Sequence, residues 1–375
     1  MHLSSSWGNL IHIQIFGESH GGGIGVVLDG LPAGYPIDMD MVLLQMKRRA
    51  PGQDLTSTAR KESDSPEVLS GMLDGRTTGA PMAALIRNKD TRSGDYKNLM
   101  KLPRPSHADY TGHVRYSGFN DVRGGGHFSG RLTAPLVFAG AVCRQILLCH
   151  GIHIGSHIRA IAGKEDTPLD PVTVDAVQLD ELSQQFFALV DPKAEDAMRV
   201  EVEKARLDCD SVGGIIECAA VGLPAGIGSP MFDGMENRIA SLVMGIPAVR
   251  GIEFGTGFAA ASMRGSEHND AFVPGDGQVR TLSNHHGGVI GGITSGMPLL
   301  FRTAFKPTAS IAKPQQTIDL TSGKQATLVI KGRHDPCIVP RALPVVEGAA
   351  AIAILDAMME LGKIPPYEGG RNHDA

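Results

Sequence analysis

Apolar runs of strand length and of helix length follow one another along this chain without regular βα alternation, and that order limits the fold more than any other feature. Residues 11–16 and 24–29 read as two short strands joined through a glycine-rich loop. Asp38 stands where an N-cap belongs, Met39, Leu43 and Met46 carry helical spacing, and Pro51-Gly52 stops the helix after Arg49. Further strands are expected over 82–87, 211–221, 251–255, 299–305 and 326–331. Helices are expected over 131–150, 237–244 and 345–361, with two more between 174 and 207. Residues 53–66 and 88–116 read as long loops of the kind that carry function. The order strand, loop, strand, helix, buried helix in the first half returns loosely in the second. An α+β layered architecture with pseudo-duplicated halves follows, rather than a doubly wound sheet.

Glycine sharpens that picture. The chain has 47 glycines in 375 residues, where ordinary usage gives about 26, so tight loops and close backbone approaches are numerous. Aromatic residues make up only 5%, which disfavours a nucleic-acid reader built on base stacking. A net charge of −5 argues against a nucleic-acid or anionic-membrane partner. Arginines nonetheless cluster at positions 48–49, 104, 131 and 333, and local basic spots favour a small anion. Five cysteines without a CxxC pair suit free thiols in a reducing cytosol. No basic stretch precedes an apolar core near Met1, so no secretory leader is expected. The longest apolar run, 132–149, carries Arg144 and reads as a core helix rather than a membrane span.

The phrase Phe16-Gly17-Glu18-Ser19-His20-Gly21-Gly22-Gly23 sets a carboxylate, a hydroxyl and an imidazole side by side. The glycines that follow let backbone approach a ligand closely. Three phrases echo it: Arg104-Pro105-Ser106-His107-Ala108-Asp109, Gly124-Gly125-Gly126-His127-Phe128-Ser129-Gly130-Arg131, and Gly332-Arg333-His334-Asp335-Pro336-Cys337. Each joins an arginine to hydroxyl, imidazole or carboxylate groups in backbone shaped by Gly or Pro. Such a set can hold a polyanion while protons move. A free imidazole titrates near ~6.5, so His20 and His107 suit proton exchange; each could equally be a loop residue. The glycine triplet opens toward a helix near Ser129, whose N–H groups would bind an anion beside Arg131. Lys306-Pro307-Thr308-Ala309-Ser310 offers an ammonium and two hydroxyls, a phosphate grip or a strand-end turn. Arg48 and Arg49, in a last helical turn, would also suit the helix dipole in solvent. The sequence has no Walker A or Rossmann pattern, and a hydrolase triad is not expected. Nor has it an HExxH, and no metal centre is expected from the tandem His285-His286.

In this order, the phrases GESHG, RRxPG, RPSHADY, GGGxxSxR, GGIxSG, KPTxS and GRHDPC resemble the chorismate synthase family, from Trp7 to Leu361. The resemblance implies a β-α-β sandwich with central helices between sheets. It implies one catalytic domain over residues 1–364 and a flexible tail over 365–375. The implied reaction is a trans-1,4 elimination of phosphate from 5-enolpyruvylshikimate 3-phosphate, giving chorismate. It needs reduced FMN but involves no net redox change. His20 would act as acid toward the departing phosphate, His107 would stand by the flavin, and Asp335 would relay a proton helped by Ser19 and Ser129. Arg48, Arg49, Arg104, Arg131 and Arg333 would line the substrate pocket. FMN would touch His127, Phe128, Ser129, Pro247, Ala248, Gly291, Lys306, Pro307, Thr308, Ala309, Ser310 and Arg333.

The family also implies a cytoplasmic homotetramer, with NADPH or an external flavin reductase supplying reducing power. Two departures bear on this. His127-Phe128 replaces a usual arginine and serine, so flavin or substrate contacts would change there. Leu55 replaces a common arginine, which weakens a nicotinamide site near Arg49 and favours the external reductase. An FMN-dependent oxidoreductase using the same pocket and a non-catalytic anion-binding protein are the competing readings.

Overall fold

The computed structural model describes residues 5–54, 56–57, 64–88, 99–275, 277–330 and 335–367. Two five-stranded antiparallel sheets form the outer layers. The first runs, in spatial order, Ser6–Trp7, His12–Gly17, Gly23–Asp29, Met82–Arg87, Pro66–Ser70. The second runs Val249–Phe254, Leu299–Phe305, Gly214–Val221, His153–Ile161, Lys164–Glu165. The helices are α1 (Met39–Arg49), α2 (Asp109–Arg115), α3 (Thr133–Leu148), α4 (Ala176–Leu182), α5 (Glu195–Leu207), α6 (Met235–Met244), α7 (Gly265–His268) and α8 (Val339–Glu360).

The layering follows from the apolar helices. Both α3 and α8 are buried almost all round, which a helix achieves only when covered on every side. α3 packs on the first sheet, α8 on the second, and each on the other; α1 joins both and α6 lies along α8. The two long helices cross at glycines, since a Cβ on Gly140 would stand 2.2 Å from Gly348 Cα. Duplication is legible in the connections. In the first half the order is strand 23–29, α1, strand 66–70, strand 82–87, α3; in the second it is strand 214–221, α6, strand 249–254, strand 299–305, α8. In both, the last strand inserts between the two before it.

Most elements lie close to where the sequence puts them, and the differences have causes. His153–Ile161 goes unread because Ser156 and His157 sit wholly buried inside it. α8 starts at Val339 rather than at 345, because Pro340 falls in its first turn where no N–H is needed. Pro344 is accommodated inside the helix. The loop expected over 88–116 contains α2. The stretch from Pro365 is docked as far as Tyr367, whose N–H donates to Ala33 O at 3.0 Å and whose ring meets Tyr35 at 5.2 Å.

His157 explains its own burial. Its Nδ1 lies 2.8 Å from Asp166 Oδ2 and its Nε2 lies 2.9 Å from Glu217 Oε2. Both nitrogens donate only in the imidazolium. Burial pushes the imidazole pKa down, but Asp166 and Glu217 outweigh it and hold the value above the ordinary one. The stability this triad contributes is therefore fully present below the unfolded value of ~6.5 and is lost as pH rises through the higher folded value. His157→Gln is expected to flatten the alkaline decline of the melting temperature. An unaltered alkaline limb in that variant would assign the decline to other groups.

Candidate active site

A cleft of about 840 Å³ opens where the end of α1, the start of α3, the start of α8 and the 305–310 strand end converge. Leu132, Leu136, Ile246, Val249, Ile338, Ala342 and Val345 are among its apolar lining. The charged part is one-sided: Arg49, Arg104, Arg115, Arg131, Arg250, Lys306 and Arg341 against the carboxylate of Asp335, among the described residues.

The glycine triplet does something other than begin a helix. Gly124, Gly125 and Gly126 have φ of 60°, 88° and 55°, a left-handed stretch that glycine adopts without penalty. α3 begins only at Thr133, after a single turn capped by the Ser129 side chain. The triplet instead runs between two imidazoles. A Cβ on Gly124 would lie 2.1 Å from His20 Nδ1, and one on Gly125 would lie 3.3 Å from His107 Nε2. Ser19 joins them, its N–H donating to Gly126 O at 3.1 Å. His20 is buried directly behind the cleft wall formed by Ser19 and Gly124.

His107 is oriented by Asp109, whose Oδ1 lies 2.7 Å from Nδ1. The same carboxylate takes Arg104 Nε and Nη2, each at 2.7 Å, so Arg104 is held by a two-point fork. Arg104 Nη1 then donates to Ser310 Oγ at 3.0 Å. Burial pushes Asp109 up, yet Arg104 and His107 hold it well below the usual carboxylate range. Asp335 pairs with Arg341, and Arg341 Nε donates to Arg49 O at 2.9 Å. Arg49 in turn meets Asp64 at 2.6 Å, and Arg131 also pairs with Asp64.

A second cationic corner faces the 305–310 strand end. Burial, and then the charge of Arg250, push the Lys306 ammonium below its ordinary range. Thr308 Oγ1 is buried with no hydrogen-bond partner among the described residues. His127 spends both ring nitrogens on the scaffold, with Nδ1 at 2.8 Å from Gly17 O and Nε2 at 2.7 Å from Ser5 Oγ. Phe128 packs against Gly112 and Tyr116 of the α2 segment.

The cleft thus brings together Ser19, His107, Ser129 and Asp335 with Arg49, Arg104 and Arg131. It also gathers His127, Phe128, Pro247, Ala248, Lys306, Thr308, Ala309 and Ser310. Pro307 is exposed between two lining residues. Arg48 lies apart: its guanidinium forks onto Glu347 at 2.7 and 3.1 Å, bracing α1 against α8. It is neither solvated nor at the cleft surface. Gly291 turns the small hairpin Val289–Ile290, Ile293–Thr294, away from the lining. Arg333 and Leu55 lie outside the described residues. Sequence reasoning missed Asp64, Arg115, Arg250 and Arg341. Arg115 and Arg341, five and four positions after the RPSHADY and GRHDPC phrases, had a motif nearby to signal them.

Comparisons with known proteins agree on one family. The chorismate synthase family model matches residues 11–359. The chain is 45% identical to the chorismate synthase of Methanocella arvoryzae over 366 residues, 98% of this chain and 97% of that protein. It is 47% identical to the chorismate synthase of Pyrococcus abyssi over 352 residues, 94% and 97% of the two chains. A crystal structure of chorismate synthase superposes with a TM-score of 0.75 at 28% identity, covering 96% of this chain and 95% of that one. With the motifs gathered on one cationic cleft and the likeness running nearly end to end, the chain belongs to the chorismate synthase family of carbon–oxygen lyases.

Proposed function

We propose that the cleft eliminates phosphate from 5-enolpyruvylshikimate 3-phosphate to give chorismate, with reduced FMN bound beside the substrate. The observation that carries this reading is the charge of the lining, seven cations against one carboxylate among the described residues. Two carboxylates and a phosphate bring about four negative charges near neutrality, and charged hydrogen bonds from buried arginines are the strong ones. The cleft volume, about 840 Å³, sits in the upper part of the range that ligand sites span and suits two small molecules side by side.

The residues present fit FMN. Lys306, Arg250 and Thr308 Oγ1, which has no partner among the described residues, suit its phosphate, while the apolar lining suits its ring. His127, Phe128, Ser129, Pro247, Ala248 and the 306–310 segment would hold it, with Arg333 of the same motif set. Bound there, reduced FMN would supply reversible one-electron chemistry with no net redox change. His20 gives a proton to the phosphate oxygen as the carbon–oxygen bond breaks. Asp335, held by Arg341 and sharing the cleft lining with Ser19 and Ser129, takes up the proton the substrate loses. His107, pinned through Nδ1 by Asp109, turns its Nε2 side toward Gly125 and the flavin site.

We further place the enzyme in the cytosol as a homotetramer, supplied with reduced flavin by a separate reductase rather than by NADPH bound here. The free state of all five cysteines supports the first. The exposed Met231, Phe232, Phe258 and Phe272 support the second. The deciding experiment is anaerobic phosphate release with dithionite-reduced FMN, against an arm in which NADPH replaces dithionite. Chorismate and phosphate in equal amounts, with flavin still reduced afterwards, are expected in the first arm only. Flavin oxidised in step with turnover would replace the lyase by an oxidoreductase. Substrate binding without phosphate release would leave an anion-binding protein.

A further inference from the structure

Asp64 lies beneath the cleft surface and touches two of its arginines. Its side chain is fully buried, with Oδ2 2.6 Å from Arg49 Nη1 and Oδ1 accepting from Arg131 Nη1. The other nitrogens of Arg49, and Nε of Arg131, are tied down as well. Arg49 Nε donates to Thr133 Oγ1 at 3.1 Å and its Nη2 to Gly130 O at 2.9 Å. Arg131 Nε donates to Asn88 Oδ1 at 3.1 Å. Asn88 Nδ2 then donates to Glu18 O and Gly21 O, each at 3.0 Å, the carbonyls on either side of the Ser19-His20 pair. One connected network therefore runs from α1 through Asp64 and Arg131 to the loop that carries His20.

We propose that Asp64 is a positioning residue for an oxyanion of the substrate. Its carboxylate fixes the spread of Arg49 and Arg131 at the cleft wall. Through Arg131 and Asn88 it keeps that anion site in register with the His20 loop. The inference rests on the elimination reading above, which supplies the anion. Two buried guanidiniums side by side repel each other and lose hydration. Burial, and then the charges of Arg341 and Arg131, bring Arg49 down to about 10, with Asp64 acting against them. Burial also pushes Asp64 up, but Arg49 and Arg131 together hold it below its ordinary range. One carboxylate between two cations leaves a single net positive charge, so the pair still attracts an anion.

Asparagine is the informative replacement. Its one carbonyl oxygen can accept from one guanidinium, and its amide would face the other donor to donor. Backbone does not confound the change, because Asp64 has φ of 39° and asparagine enters the left-handed region as readily as aspartate. The experiment compares Asp64→Asn, Arg131→Gln and the double variant. Calorimetry reads the binding of 5-enolpyruvylshikimate 3-phosphate and of inorganic phosphate, and anaerobic phosphate release reads kcat and KM. FMN affinity and melting temperature are measured on each.

For Asp64→Asn, binding of the substrate about tenfold weaker is expected. Its kcat is expected to fall about 30- to 100-fold, with FMN affinity within about threefold of wild type. The double variant should be no slower than Arg131→Gln alone, because both changes break one network. Wild-type binding and kcat in Asp64→Asn would overturn the proposal. So would losses that multiply in the double variant, or a lower melting temperature with unchanged kcat. A wild-type protein that releases no phosphate would overturn the elimination reading instead, and the inorganic-phosphate titrations would still decide the role of Asp64.

Discussion

His20→Ala is expected to lower phosphate release by about 10²- to 10⁴-fold, the range a positioned general acid contributes, while leaving FMN affinity and fold in place. The argument is geometric. The imidazole stands over Gly124 and beside Ser19, behind a cleft wall whose cations would hold the leaving phosphate. The loop around it carries backbone hydrogen bonds of its own. Gly21 N–H bonds Glu18 O at 3.1 Å, Ser19 N–H bonds Gly126 O at 3.1 Å, and Asn88 clamps both ends of the turn. Alanine removes the proton donor and keeps that backbone scaffold. Turnover at saturating substrate, with a parallel FMN titration, is the measurement. Wild-type turnover in this variant would take His20 out of the reaction, and lost FMN binding would make it a flavin contact.

Much of the site was readable before the fold, because the chemistry is carried in short phrases that bring their own geometry. The GESHG and GGGxxSxR phrases contain both the functional groups and the glycines that let them approach. Their association in space adds to what each phrase already says. Long-range pairings were not readable. Asp64 and Arg131 are 67 residues apart, and no local pattern marks a carboxylate that will be buried between two arginines. Arg48 and Arg49 show the same limit in reverse. Adjacent on one helix end, they diverge by about 100°, which sends one to Glu347 in the core and the other to the cleft. The sheets were legible where apolar residues alternate or run unbroken. His153–Ile161 was not, because Gly155, Ser156 and His157 interrupt its buried aliphatic residues, and the partners that let His157 be buried, Asp166 and Glu217, lie outside the strand.

Gly124→Ala tests whether the glycine triplet matters for its missing side chain. A Cβ there would stand 2.1 Å from His20 Nδ1 and 2.7 Å from Ser19 Oγ, so the imidazole or the glycine backbone must move. The residue also has φ of 60°, a conformation that costs a side-chain-bearing residue about 1–2 kcal/mol. The serine hydroxyl can rotate away, but the buried ring has no comparable escape. Displacing the ring by about 1 Å is enough to cost about 10²-fold in rate. Gly124→Ala is therefore expected to approach His20→Ala in lost turnover and to melt lower than wild type. The double variant separates the two causes. With the ring gone its clash disappears, so Gly124→Ala/His20→Ala should melt above Gly124→Ala and turn over no slower than His20→Ala. Equal melting temperatures in the single and double variants would place the cost in the backbone conformation rather than in the imidazole contact. Turnover near wild type in Gly124→Ala would mean that the His20 ring reaches its working position without the space this glycine provides.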